Sequence, residues 1–183
     1  MRITGGAWAS RRFVGPARRA GIRPTPDALR EQAFAVLAPW LAGASFLDLF
    51  AGTGANALEA LSRGAARAIL VERGRPAAEL IRRNLATFGV GPGSARLIVG
   101  DAARAVVQLG GAGERCALAW CDPPFDDWQA GPHALAAARQ HGLLQPGARV
   151  VLELPPRTEA AIDGFAPVRA LRGAVLLEVV PSA

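Results

Sequence analysis

From residue 45 onward, short apolar runs alternate with helical segments, and this alternation constrains the fold more than any other feature of the chain. The runs span residues 45–49, 68–72, 95–99, 117–121 and 148–154, and helical patterns lie between them at 55–63, 75–88, 101–108 and 129–141. The second helical pattern opens on Pro76 and presents Leu80, Ile81, Leu85 and Phe88 along one face. Strand, helix and strand in repetition imply a parallel sheet covered by helices on both faces. Two further runs, 168–171 and 175–180, flank Arg172-Gly173 and read as an antiparallel hairpin on the sheet edge. Upstream, Thr25 reads as an N-cap, Pro26 as the first helical residue and Asp27 as a first-turn acid; a helix over 26–38, ended by Pro39, follows. A length of 183 residues suits one domain, and 51% hydrophobic against 20% charged residues supply enough apolar surface to offset chain entropy. The expected fold is therefore a single α/β domain with a seven-stranded, mostly parallel sheet.

Charge divides the chain unevenly. All 21 basic residues are Arg, and Lys and Tyr are absent, which excludes a P-loop lysine, a Schiff-base or pyridoxal lysine, and a Tyr/Lys proton-transfer pair. Residues 1–30 hold seven Arg and one acid, whereas the rest of the chain is balanced at 14 of each. Two short extended pieces, around Arg2-Ile3-Thr4 and Arg12-Phe13-Val14, are separated by Gly5-Gly6 and followed by an Arg/Gly/Pro loop over 17–24. This divides the chain into a basic N-terminal extension, 1–24, and a main domain, 25–183. Arg2, Arg11, Arg12, Arg18, Arg19 and Arg23 are candidate contacts to a polyanion, for which nucleic acid is the commonest choice; a solvated tail is the alternative.

Cysteine and histidine usage carries less. Cys116 and Cys121 have no CxxC spacing, and their odd separation within one run places them on opposite faces of a strand as buried thiols. His133 and His141 have no third ligand near them, so surface or helix-end positions and no metal are expected. No secretory h-region is visible, and each apolar run is broken well before the roughly 18 residues that a membrane span needs. A cytoplasmic, reduced protein with no membrane association is expected.

Three constellations carry chemistry. Residues 46–57 read Phe-Leu-Asp-Leu-Phe-Ala-Gly-Thr-Gly-Ala-Asn-Ala, a strand entering a glycine turn and a helix, where backbone N–H groups can approach a ligand. Alone it also fits a loose dinucleotide fingerprint or a bare tight turn. Glu72 ends the next run, 18 residues after Gly54, where a carboxylate can accept both ribose hydroxyls of an adenosine. Asp101, after the third run, can accept from an adenine amine or cap the helix beside it.

The third is Asp122-Pro123-Pro124-Phe125, directly after the fourth run. An exocyclic base amine is a poor nucleophile because its lone pair is delocalised into the ring. A carboxylate from Asp122 and the Pro123 carbonyl can each accept one of its hydrogens, localising the lone pair and stabilising the charge that develops on methylation. The prolines hold both acceptors rigidly, and Phe125 offers a face on which a flipped base can stack.

In this order the motifs resemble class I S-adenosylmethionine-dependent methyltransferases acting on exocyclic amines, and more closely the RsmD family of bacterial 16S rRNA guanine-N2 methyltransferases. The resemblance runs from Arg2-Ile3-Thr4-Gly5-Gly6 through Arg23-Pro24-Thr25-Pro26-Asp27 with Arg30-Glu31, residues 48–54, residues 59–64, Asn84-Leu85 and residues 122–125. The chain departs from the family pattern at Ala9-Ser10 and Asn56-Ala57. The resemblance implies methyl transfer to N2 of one guanine in 16S rRNA, as naked RNA or in an assembling small subunit, by a monomer. Asp122, Pro123 and Phe125 would be catalytic; Asp48, Phe50, Ala51, Gly52, Gly54, Glu72 and Asp101 would hold S-adenosylmethionine. Three rivals remain. A DNA amino-methyltransferase would use the same motifs but needs a sizeable target-recognition region. A nicotinamide dehydrogenase would leave Asp-Pro-Pro-Phe without a role, and a non-enzymatic RNA-binding module would need only the basic extension.

Overall fold

The computed structural model describes residues 1–15, 25–159 and 161–181; Arg18, Arg19 and Arg23 lie outside them. Within the described residues, seven strands form one sheet in the order β3-β2-β1-β4-β5-β7-β6. They are β1 Ser45–Leu49, β2 Arg67–Glu72, β3 Ala95–Val99, β4 Cys116–Cys121, β5 Leu144–Glu153, β6 Phe165–Leu171 and β7 Ala174–Val179. Strands β1 to β5 pair in parallel, whereas β7 runs antiparallel between β5 and β6. The helices are α1 Asp27–Leu41, α2 Ala55–Ser62, α3 Arg75–Thr87, α4 Ala102–Gly111 and α5 Ala130–Gln140. α4 and α5 pack on one face through Val106, Leu109, Leu135 and Ala138 against Leu47, Ile69, Ala119 and Val150. α1 covers the other face through Phe34 and Leu37, with α2 and α3 beside it. Both faces of the central strands β1, β2 and β4 are thus buried, which explains their continuous apolar runs, whereas β3 at the edge is partly exposed.

Several local expectations are corrected. Pro39 does not end α1, which runs on to Leu41. A proline in the last turn removes only one intrahelical hydrogen bond, and burial of Leu37 and Leu41 on the core holds the turn in place. Thr25 is not the N-cap; Pro26 occupies that position and the Thr25 hydroxyl is used elsewhere. Cys116 and Cys121 are both buried and free, but they share one apolar cluster rather than opposite faces. The β4–β5 register breaks between Cys116 and Leu118, with the extra residues on β5 between Leu144 and Arg149, so Cys116 precedes the regular pairing and its sequence parity does not give the cluster it joins.

The first 15 residues pack onto the domain. Arg2 and Arg12 form an antiparallel bridge, and Ile3 and Phe13 are buried with Leu58, Ile81 and Phe88. Thr4 donates to both carboxylate oxygens of Glu59, from its N–H (2.8 Å) and its hydroxyl (2.7 Å). Glu59 also accepts from Arg63 (2.8 Å) and from the fully buried Arg30 (3.3 Å), which reaches Asp27 at 2.9 Å. Gly5 and Gly6 permit this contact, because a Cβ would meet the Arg63 guanidinium at 2.3 Å or the Ser62 carbonyl oxygen at 2.0 Å.

Candidate active site

The strand order reverses direction between β1 and β4, and open α/β sheets bind ligands at such a switch point. There a cavity of about 1220 Å³ opens along the carboxyl ends of the strands. This exceeds the roughly 300–1,000 Å³ typical of a site for one small ligand, so there is room for two.

One half of the wall is the turn after β1. Phe50, Gly52 and Gly54 all adopt left-handed backbone, with φ of +62°, +55° and +76°. Phe50 pays about 1–3 kcal/mol for this as a non-glycine residue, the kind of strain that concentrates at functional sites. Phe50, Ala51 and Gly52 line the cavity, whereas Gly54 and Asp48 do not and act from behind it. Gly54 precedes α2 and turns toward Leu70 and Ile81. Asp48 is buried beneath the turn, where Oδ2 accepts from the Ala57 N–H at 3.1 Å and Oδ1 has no partner among the described residues. Burial raises the Asp48 carboxyl well above the usual carboxylate range; the Ala57 hydrogen bond opposes this, and Asp122, Glu72 and Glu153 add to it.

Glu72, at the end of β2, lines the cavity with its carboxylate fixed at both oxygens. Oε2 accepts from the Gly52 N–H at 2.9 Å and Oε1 from the Gly74 N–H at 2.7 Å. A carboxylate offers about four acceptor positions, so an oriented Glu72 retains capacity for ligand hydroxyls. Asp101 caps α4, its Oδ1 accepting from the Arg104 N–H (3.0 Å), and it also lines the cavity.

The other half of the wall is Asp122-Pro123-Pro124-Phe125 after β4. Pro123 is buried, and Gly131 in α5 lets the helix approach it: a Cβ there would lie 2.8 Å from Pro123 Cγ and 3.1 Å from Cys121 Sγ. Phe125, 41% exposed, opens a single 3₁₀ turn at the mouth. Asp122 is half-buried, with Oδ2 3.3 Å from the Thr25 hydroxyl. The same hydroxyl donates to Glu153 Oε1 at 2.9 Å, and the Trp120 indole N–H reaches that oxygen at 3.0 Å. His133 also lines the cavity, and among the described residues no cluster of His, Cys, Asp and Glu could hold a metal.

Sequence reasoning missed Thr25, Asn56, Glu153, Arg157 and Arg172, all of which line the cavity. Glu153 was legible in principle, as an acid ending an apolar run just as Glu72 does. It was hidden because the run was read one residue past it. Of the described arginines of the N-terminal segment, Arg2, Arg11 and Arg12 are exposed on the domain and none of the three lines the cavity; Arg11 lies over the Phe88 ring at 4.6 Å.

The family described as conserved hypothetical protein 95 matches residues 1–174. Ribosomal RNA small subunit methyltransferase D of Escherichia coli (strain K12) is 42% identical over 125 residues, covering 68% of this chain and 60% of that protein, less than two thirds of its length. The Haemophilus influenzae protein of the same name is 28% identical over 153 residues, 84% of this chain and 78% of its own. The solved structure of the Escherichia coli protein yhhF matches with a TM-score of 0.82 at 32% identity, covering 98% of each chain.

Proposed function

We propose, from the premise that this chain belongs to the conserved hypothetical protein 95 family, that it transfers a methyl group from S-adenosylmethionine to the exocyclic N2 of one guanine in 16S ribosomal RNA. The observation that carries this reading is that one cavity joins the Glu72-braced glycine turn to Asp122, Pro123 and Phe125. A dehydrogenase needs only the first half, and a binding module needs neither. The relatives named as small-subunit rRNA methyltransferases support RNA as the substrate over DNA.

The residues present fit the cofactor. Glu72, oriented by the Gly52 and Gly74 N–H groups, would accept ribose hydroxyls, and Asp101 would accept from the adenine amine. Asn56 Oδ1, buried in the wall without a partner, is an acceptor for the methionyl amino group. The cofactor, when bound, supplies an electrophilic methyl on a positively charged sulfur, which takes the bonding pair as the methyl is displaced in line. The carboxylates of the wall favour that positive charge. Asp122 and the Pro123 carbonyl hold the two amine hydrogens and localise the nitrogen lone pair toward the methyl, while Phe125 stacks the base. The methylated nitrogen is cationic and strongly acidic, so it loses its proton without a dedicated strong base.

Asp122 stabilises charge that exists only as the methyl arrives, so its loss should lower turnover far more than affinity. Removing one such preorganised partner costs on the order of 10²–10³ in rate. Single-turnover assays with N2-methylguanine as product should rank wild type above Asp122→Asn, and Asn above Ala. Rates for both variants within a few-fold of wild type would contradict the mechanism.

A further inference from the structure

Asp122 has a neighbour of like charge that the mechanism leaves without a task. Cys121 and Leu152 are register partners on the parallel strands β4 and β5, so the next residues, Asp122 and Glu153, stand side by side at the sheet edge. Glu153 is only 8% exposed, yet it lines the cavity. A buried carboxylate costs free energy unless hydrogen bonds satisfy it. Here Trp120 Nε1 (3.0 Å) and Thr25 Oγ1 (2.9 Å) hold one oxygen and fix the direction of the group. The Thr25 hydroxyl has one hydrogen and lies within reach of both acids, so it can serve one of them at a time. With the Pro123 carbonyl, the two carboxylates group three acceptors at this part of the wall.

A wall of acceptors selects a base by the donors it presents. Guanine, adenine and cytosine all carry an exocyclic amine that Asp122 and Pro123 could hold. They differ at the ring nitrogen beside that amine on the Watson–Crick edge. In guanine this nitrogen, N1, bears a hydrogen, whereas in adenine and cytosine it offers a lone pair. A flipped base is read on this edge. A ring lone pair facing a buried carboxylate meets an acceptor and no donor and is repelled, which is the condition under which polar sites reject an analogue most strongly.

We propose that Glu153 is the residue that selects guanine, by accepting the N1–H hydrogen while Asp122 and the Pro123 carbonyl hold the neighbouring amine. Trp120 and Thr25 are then positioning residues that aim the Glu153 carboxylate. This also gives Thr25, within the Arg23-to-Glu31 motif, a task in the site. The inference rests on the guanine-N2 reading and deepens it.

The probe is 16S rRNA in which the target guanosine, once located, is replaced by 2-aminopurine riboside, which keeps the amine but has no hydrogen on N1. In single-turnover assays wild type should prefer guanine over 2-aminopurine by at least about tenfold. Glu153→Gln can turn an amide N–H toward the 2-aminopurine N1, so the preference should fall at least about tenfold or invert. A merely structural role would slow both substrates alike and leave the ratio unchanged. If Glu153→Gln shows no cooperative thermal melt, Glu153→Asp, whose carboxylate sits one methylene further back, must lower the ratio instead. An unchanged ratio in the folded variant overturns the proposal. Failure of wild type to form N2-methylguanosine at all overturns the guanine-N2 reading itself.

Discussion

Glu72 and Asp48 are both acids next to one glycine turn, and their surroundings give them opposite tasks. Glu72 is oriented by two backbone N–H groups and faces the cavity, which places it to act on the ligand in the proposed reading. A charge-assisted hydrogen bond is worth about 1.5–3 kcal/mol, and Glu72→Ala should therefore weaken S-adenosylmethionine binding at least about tenfold by calorimetry. Unchanged affinity would remove Glu72 from the site. Asp48 is sealed beneath the turn, and burial raises its carboxyl well above the ordinary range. Below about pH 4 the folded and unfolded states both hold its proton. Above that, up to the raised folded value, only the unfolded chain releases it, so this group's contribution to stability falls as pH rises. Asp48→Asn cannot ionise, and its stability relative to wild type should grow across urea melts from about pH 4 to about pH 8. A relative stability that shrinks with pH would contradict the assignment. The family resemblance marked both acids as cofactor ligands, because a one-dimensional pattern locates a strand end but does not show which side of the turn a carboxylate occupies.

At the scale of elements, alternation of apolar runs made the sheet and its terminal hairpin legible, with Leu171 pairing Ala174 across the expected Arg172-Gly173 turn. What escaped depends on contacts between segments distant in the chain. Thr25 has N-cap chemistry, but its hydroxyl is drawn to acids about a hundred or more positions away, Asp122 and Glu153. The first 15 residues have the composition of a solvated arm, yet Ile3 and Phe13 are core residues and Thr4 is held by Glu59. Their two roles can be separated. Ile3→Ala should destabilise the fold by about 2–5 kcal/mol in urea melts while leaving the salt dependence of RNA affinity intact. Arg2→Ser with Arg12→Ser should flatten that dependence by about 0.7–0.9 log units per lost phosphate contact and leave stability nearly unchanged. A wild-type slope in the double variant would mean that these arginines are solvated and make no phosphate contact.

For the whole molecule, the sheet brings five strand ends to one edge, and each contributes a piece of the same cavity: the glycine turn after β1, Glu72 ending β2, Asp101 after β3, Asp122 after β4 and Glu153 ending β5. A fold of this kind hosts many activities, so the function rests on the site and not on the architecture. The central claim is that this edge methylates the N2 amine of a guanine in 16S rRNA. Its most direct test uses 16S rRNA from cells lacking the gene, incubated with the protein and S-adenosylmethionine carrying a deuterated methyl group, then digested to nucleosides for mass spectrometry. The account predicts the label in N2-methylguanosine, and its absence from the same reaction with Asp122→Ala. Label in N6-methyladenosine, or in no nucleoside, would contradict it.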